Sequence, residues 1–380
     1  MGEQVSGNQS RRAKAGAGGN WPILLWFSLV ALAVVFSGCA KPLLSCPRVV
    51  GEPDPPLPQQ HPAVVLFATD RLPESREQLL FSADLNPSGT HLSYGAKCVD
   101  PRGGPAECGR PPRWLERGDF LARIRASPTD VILFVHGFNY SFDESLEVAL
   151  RIVERSNFPA TPVAYSWPSE GRMSAYGLDY DMSEWTIDHL TGFIRDLVGA
   201  LPEGSRLHIV AHSMGNRAVL LALAHLDLPA QRLGQLILIA PDVESRIFRE
   251  LVAHTGPFQR RTLYVSRHDL ALRASALLLR SGTVRAGDAD KQYIVVQGVD
   301  TIDMSPLKTG MFGHSIYDYP QLIFEDLGAA LKDQSVADRK LTACRVKSIA
   351  QANADHGTSL PCLVYVLPTE SKPTTRRGAD

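Results

Sequence analysis

The chain has almost no net charge. Lys and Arg number 39, Asp and Glu number 40, and the formal net charge is -1. No block of like charges occurs along it. A field able to draw nucleic acid or a strongly acidic partner is missing, so no nucleic-acid partner is expected. Cysteine is scarce, with six in 380 residues, and no Cys/His spacing resembles a zinc site. Neither a metal nor an organic cofactor is expected. There is no internal repeat, which argues against a repeat architecture. What remains is ordinary globular composition, 44% hydrophobic and 21% charged, with enough apolar residues for a large core. The length suits one large domain or two ordinary ones.

The first forty residues differ from the rest. Arg11, Arg12 and Lys14 precede an apolar run from Trp21 to Phe36, which ends in Phe36-Ser37-Gly38-Cys39-Ala40. A basic segment, a short apolar segment and small residues make an export signal. The cysteine after the small residues resembles the bacterial lipobox, with Phe36 in place of the usual leucine. That resemblance implies cleavage before Cys39 and lipidation of Cys39, so the expected location is the cell envelope, anchored to a membrane through the N-terminus. An uncleaved signal anchor is the competing reading, since the run is nearly long enough to span a thinned bilayer. Leu43-Leu44-Ser45-Cys46 also looks like a lipobox, but Lys41-Pro42 detaches it from the apolar run. The expected organisation is a signal peptide over 1–38, a Pro-rich tether over 39–62, one folded domain over 63–333, and an extension over 334–380 that is partly disordered. An exported compartment permits disulfides. Sequence proximity suggests Cys98 with Cys108 and Cys344 with Cys362, leaving Cys46 over.

One stretch organises the remainder. Leu207-His208-Ile209-Val210-Ala211-His212-Ser213-Met214-Gly215-Asn216 reads as a buried strand running straight into a helix. Ser213 sits at the junction, with Ala211 two residues before it and Gly215 two after. This matches a nucleophile elbow with alanine replacing its first glycine. The turn must expose the hydroxyl, and neighbouring chain passes so close that only small side chains fit. Alone the motif is common by chance, so its context decides.

The context is a run of alternating strands and helices. Ala63–Ala68, Val131–Val135, Pro162–Ser166, Leu236–Ala240, Thr262–Ser266 and Tyr293–Val296 are short apolar runs expected as strands. Ser141-x-x-Glu144 is a capping box opening a helix through Val153. Trp185, Phe193, Ile194, Leu197 and Leu201 mark a long amphipathic helix, and a last helix is expected from about Tyr319 to Leu331. The fold class expected is α/β, an α/β-hydrolase fold with a mostly parallel central sheet and helices on both faces.

Functional groups gather at the carboxyl ends of such strands. The residues found there are His136-Gly137-Phe138, Ser213, Asp242, Asp269 and the loop Phe312-Gly313-His314-Ser315. The order Ser, Asp, His is that of α/β-hydrolases. Ser213 is the candidate nucleophile, His314 the base, and Asp269 the acid that fixes the histidine tautomer. Asp242 is the alternative acid, or else it organises the site mouth or caps a helix. The backbone N–H groups of Phe138 and Met214 are the candidate oxyanion donors. His136 and His212 are expected to be structural or to support the site from behind, and His208 and His225, on a strand and a helix, to be ordinary packing or surface residues. Trp167 and Tyr176 are acyl-pocket walls or simple core, the pocket being the reading taken for Trp167 because it follows a strand end, and Met173 to Met182 or the loop around Met304 to Met311 could cover the site.

At these residues the chain also resembles a family of bacterial α/β-hydrolases known as a domain of unknown function and described as esterase/lipase superfamily enzymes. The matching segments are Ala68-Thr69-Asp70-Arg71, Leu92-Ser93-Tyr94-Gly95, Phe134-Val135-His136-Gly137-Phe138-Asn139, Ser166-Trp167-Pro168-Ser169, Ala211 to Asn216, Ala240-Pro241-Asp242, Tyr264 to Asp269 and Phe312 to Ser315. They occur in the same order over about residues 63 to 333. The resemblance implies the fold and the catalytic machinery, but not a substrate. Asp70 stands where asparagine is expected.

The expected function is hydrolysis of carboxylic esters through an acyl-enzyme, on an acyl-ester substrate that membrane placement extends to lipids. Acyl transfer by the same triad and a non-catalytic binding role are the alternatives. Radiolabelled palmitate should enter the wild type and the Cys46→Ser protein but not Cys39→Ser. Absence of label from all three would overturn lipidation.

Overall fold

The computed structural model describes residues 44–45, 61–86, 92–102, 106–108, 112–279, 283–307, 313–346 and 363–368. The expected signal peptide, Cys39, nearly all of the tether, Phe312 and Cys362 lie outside the described residues.

The strands in chain order are β1 (Leu44–Ser45), β2 (Ala63–Thr69), β3 (Arg71–Ser75), β4 (Leu80–Leu85), β5 (Ser93–Val99), β6 (Arg113–Leu115), β7 (Asp130–Val135), β8 (Ala160–Ser166), β9 (Leu207–His212), β10 (Leu233–Ile239), β11 (Arg260–Val265), β12 (Val299–Asp303), β13 (Thr342–Val346) and β14 (Leu363–Val366). The helices are α1 (Arg117–Arg125), α2 (Phe142–Ser156), α3 (Tyr176–Trp185), α4 (Ile187–Ala200), α5 (Gly215–Ala224), α6 (Ser245–Ala253), α7 (Leu270–Leu278) and α8 (Gln321–Leu331). A 12-stranded sheet runs β1-β13-β14-β12-β11-β10-β9-β7-β8-β2-β5-β6, and β3 and β4 form a separate hairpin. From β14 across to β2 all neighbours are parallel, and antiparallel pairs occur only toward the two edges.

The pattern follows from burial on both faces. Every residue of β9 and β10 is buried, which explains their unbroken apolar character. One core lies under α1, α4, α5 and α6 and contains Phe120, Phe193, Ile194, Leu220 and Phe248. The other lies under α2 and α8 and contains Phe134, Leu146, Ile152, Phe324 and Leu327. Each such side chain taken from water contributes about 1.5–3 kcal/mol. The capping box at Ser141 and Glu144 forms as expected, and Asn157 closes α2 in the left-handed region at φ 49°.

Three expectations need correction. Tyr293–Val296 is not a strand, and Val299–Asp303 takes that place in the sheet. The apolar run instead lies against the strand as a loop: the Tyr293 hydroxyl donates to Asp303 at 2.6 Å, and Thr301 donates to the Ile294 carbonyl at 2.8 Å. The long helix is two helices, broken at Thr186, whose hydroxyl turns to the buried Asp70 at 2.5 Å. The sheet does not stop at residue 333, because β13 and β14 extend it beyond β12.

Cys98 and Cys108 form a disulfide. Cys344 is also disulfide-bonded, and the expected Cys344–Cys362 pairing lies outside the described residues. Among the described residues no helix is long and apolar enough to cross a membrane.

α8 meets α2 backbone to backbone. A Cβ at Gly328 would lie 2.1 Å from the Ser156 carbonyl oxygen. Gly328→Ala should therefore destabilise the domain by about 1–3 kcal/mol, seen as a lower urea midpoint at unchanged slope.

Candidate active site

The elbow is built by close approach. Between β9 and α5, Ser213 sits at φ 52°, a region that costs a non-glycine residue roughly 1–3 kcal/mol. A Cβ at Gly215 would lie 2.2 Å from the His136 carbonyl oxygen, and one at Gly137 would lie 2.6 Å from Ser213 Cβ. The turn is held by hydrogen bonds. Ser213 N–H donates to Ile239 O at 3.0 Å, and Asp242 N–H donates to Ser213 O at 3.1 Å. The Asn216 amide donates to both Ser213 O and Ile239 O at 3.0 Å. Asn216 lies in the elbow motif, but its bracing role needs tertiary contacts to be seen.

Three expected residues come together. His314 Nε2 is 2.7 Å from Ser213 Oγ, and His314 Nδ1 is 2.6 Å from Asp269 Oδ2. Asp269 is fully buried, Ser213 is 3% exposed and the His314 side chain 18% exposed, so of the three only His314 meets solvent appreciably. Asp269 has two tasks. Its Oδ1 accepts the Leu272 N–H at 3.0 Å, capping α7, which leaves Oδ2 for the imidazole. Gly313, at φ 68°, lets the histidine loop pass against the acid loop, where a Cβ would lie 2.6 Å from His268 O. Burial works against a charge on His314, but the Asp269 carboxylate, its hydrogen bond and the charge of Asp242 outweigh this and raise its pKa.

Asp242 does not contact His314. Its carboxylate accepts the Tyr176 hydroxyl at 2.7 Å and the Ser275 hydroxyl at 2.5 Å, and pairs with Arg285 Nε at 3.3 Å. It does not cap the following helix either, because Glu244 accepts from Arg246 and Ile247 there. It braces the site instead, joining α3 and α7 beside the elbow.

The N–H groups of Phe138 and Met214 donate to no protein acceptor among the described residues. Met214 follows Ser213 directly, and Phe138 follows Gly137, where a Cβ would lie 2.6 Å from Ser213 Cβ. The Tyr176 ring meets the Phe138 ring edge-on at 5.2 Å.

His136 and His212 are both buried and held neutral. Burial and the nearby Arg71 charge bring His136 down to about 3, and burial with the charges of His314 and His136 takes His212 well below its ordinary value. His212 Nε2 donates to the His314 carbonyl at 2.8 Å, which pins the His314 loop from behind. His208 is structural, bonded to Asp130 at 3.2 Å and accepting from Gln235 N–H at 3.0 Å. His225 is exposed at the end of α5. Trp167 is not a pocket wall. It is fully buried, stacks on His136 at 4.8 Å and donates to the His136 carbonyl at 2.8 Å. Asp70 is buried and accepts from Tyr165, Thr186 and His189. Among the described residues no group of three or more His, Cys, Asp and Glu could hold a metal ion.

Two residues beside the site were given no role by sequence reasoning. Arg71 is 2% exposed and forks between loops: Nη1 donates to Ser169 O at 2.9 Å, Nη2 to Tyr140 O at 2.8 Å, and Nε to Ser166 Oγ at 3.0 Å. Asp179, on α3, accepts from Ser169, Glu170 and Asn139. A lone arginine straight after an apolar strand was the signal for the first. Nothing in the helix sequence singles out the second.

Residues 116–329 match the family model described as alpha/beta hydrolase of unknown function (DUF900). No curated protein matches the chain. Among solved structures, a hyperthermophilic esterase from Pyrobaculum calidifontis is similar at 16% identity, covering 54% of this chain and 75% of that one, with a TM-score of 0.27. The phospholipase PlaB from Legionella pneumophila is similar at 12% identity, covering 59% and 66%, with a TM-score of 0.30. The Francisella virulence factor BioJ is similar at 11% identity, covering 82% and 91%, with a TM-score of 0.29. Similarity at this level carries no argument about substrate.

The raised pKa of His314 has a testable sign. The His314–Asp269 pair stabilises the fold fully below the unfolded value of about 6.5, and that contribution is lost as pH rises through the higher folded value. An NMR titration should find the His314 ring titrating above 6.5. Asp269→Asn should lower that midpoint, and an unchanged midpoint would remove Asp269 as its partner.

Proposed function

Because the chain belongs to the DUF900 family of α/β-hydrolases, we propose that it is a serine hydrolase that cleaves carboxylic esters through an acyl-enzyme. The observation that carries this reading is the continuous hydrogen-bond relay Ser213–His314–Asp269, set beside two backbone N–H groups with no protein acceptor. His314 Nε2 takes the Ser213 proton as Oγ attacks the ester carbonyl carbon. The carbonyl oxygen becomes an oxyanion, and the N–H groups of Phe138 and Met214 donate to it. Each such donor supplies roughly 3 kcal/mol of barrier stabilisation. Collapse breaks the bond to the alcohol oxygen, which leaves with the proton from His314. A water then gives its proton to His314 and attacks the acyl carbon, and the acid is released as Ser213 recovers its proton. Asp269, hydrogen-bonded to Nδ1, holds the tautomer and balances the imidazolium.

A groove of about 870 Å³ lined by Tyr180, Ile247, Leu251, Leu279 and Arg285 opens beside the Asp242–Arg285 pair. Lipidation at Cys39 would bring this chemistry to a membrane surface, where acyl esters are abundant.

A fluorophosphonate probe should label wild-type protein on Ser213 and leave Ser213→Ala unlabelled. Hydrolysis of p-nitrophenyl esters should fall by roughly 10³-fold or more in that variant. Wild-type turnover by Ser213→Ala would refute the reading. The reaction needs neutral His314, so kcat/KM should rise with pH, with its acid limb above pH 6.5.

A further inference from the structure

Resting on the serine-hydrolase reading above, we propose that Asp179 and Arg71 are positioning residues that set the oxyanion donor at Phe138 without touching the reacting atoms. The donor lies in a short loop after β7, and loops do not hold an N–H in one direction unless something fixes them. This loop turns sharply, with Asn139 at φ 63°.

Two buried charges hold it, from opposite ends of the chain's hydrogen-bonding repertoire. Asp179 is fully buried. Its Oδ2 accepts the Asn139 N–H at 3.4 Å and the Ser169 hydroxyl at 2.5 Å, and its Oδ1 accepts the Glu170 N–H at 2.9 Å. Ser169 Oγ in turn accepts the Tyr140 N–H at 3.2 Å. Arg71 takes the carbonyls of the same two loops, at Tyr140 and Ser169. The carboxylate therefore collects N–H and O–H donors, and the guanidinium collects carbonyls. Between them the loop after β7 and the loop after β8 become one rigid piece, immediately next to Phe138. The same helix that carries Asp179 also presses the Tyr176 ring on Phe138, so α3 fixes the donor residue by both its backbone and its side chain.

Such a latch acts on the transition state more than on substrate binding. An oxyanion exists only as the reaction proceeds, and a displaced donor is felt there first. Asp179→Asn, Ser169→Ala and the double variant should be compared with full-length wild type on one soluble p-nitrophenyl ester. Each single variant should lower kcat by roughly 10- to 100-fold with little change in KM. The double variant should be no slower than the slower single one, since both break one network. Arg71→Lys keeps the charge, loses the fork, and should behave alike. Hydrogen exchange of the Asn139 and Tyr140 amides should speed up in all of them while the amides of β9 stay protected, a readout independent of activity. Unchanged kcat in Asp179→Asn, with wild-type activity intact, would overturn the latch alone. So would kcat losses that multiply in the double variant together with a general loss of exchange protection, the signature of a merely structural role. A wild type without esterase activity or probe labelling would overturn the hydrolase reading, and the latch with it.

Discussion

Two chain segments at the carboxyl edge of the sheet pass closer together than a Cβ allows. The start of α5 lies on the His136 carbonyl, and Gly137 lies on Ser213. Everything at the site depends on this approach. Ser213 takes a left-handed turn there, and its hydroxyl meets His314 Nε2 at 2.7 Å. At Gly215 every atom a Cβ would strike is backbone, and at Gly137 they are Ser213 Cβ, the His212 carbonyl oxygen and the His212 ring. The strain at Ser213 is sustained because β7, β9 and β10 are buried on both sides and cannot relax.

Around that turn the structure divides its buried charge by task. Asp269 is committed to His314 and to the N-terminus of α7. Asp242, a neighbour of similar burial, is saturated by Tyr176, Ser275 and Arg285. It still favours a charged His314 from a distance. His136 and His212 show the opposite treatment, with burial unrelieved by any carboxylate, and both stay neutral. Three histidines within one cluster thus differ in role because only one has an acid partner.

The legibility of these features varied with their range. The parallel strands were readable because burial on both faces leaves continuous apolar runs, and the elbow because its spacing is local. The error at Tyr293–Val296 arose from the same rule. A buried loop packed on β12 is as apolar as a strand, and periodicity cannot separate them. Thr186, where the two helices meet, hydrogen-bonds Asp70, a partner 116 residues away that no window along the chain could contain. Trp167 looked like a pocket wall because it follows a strand, yet it serves the core.

The sequence by itself determined the alternation of the central parallel strands with helices, the position of Ser213 at a strand end, and the set of polar residues available at the other strand ends. Those are properties of short segments, set by local backbone sterics and by hydrophobic period. Only the tertiary structure decided which carboxylate faces His314, which histidines stay neutral, and that Arg71 and Asp179 meet beside Phe138. Those outcomes depend on distances of a few ångströms between residues far apart in the chain, where hydrogen bonding and burial act through space and not along the backbone.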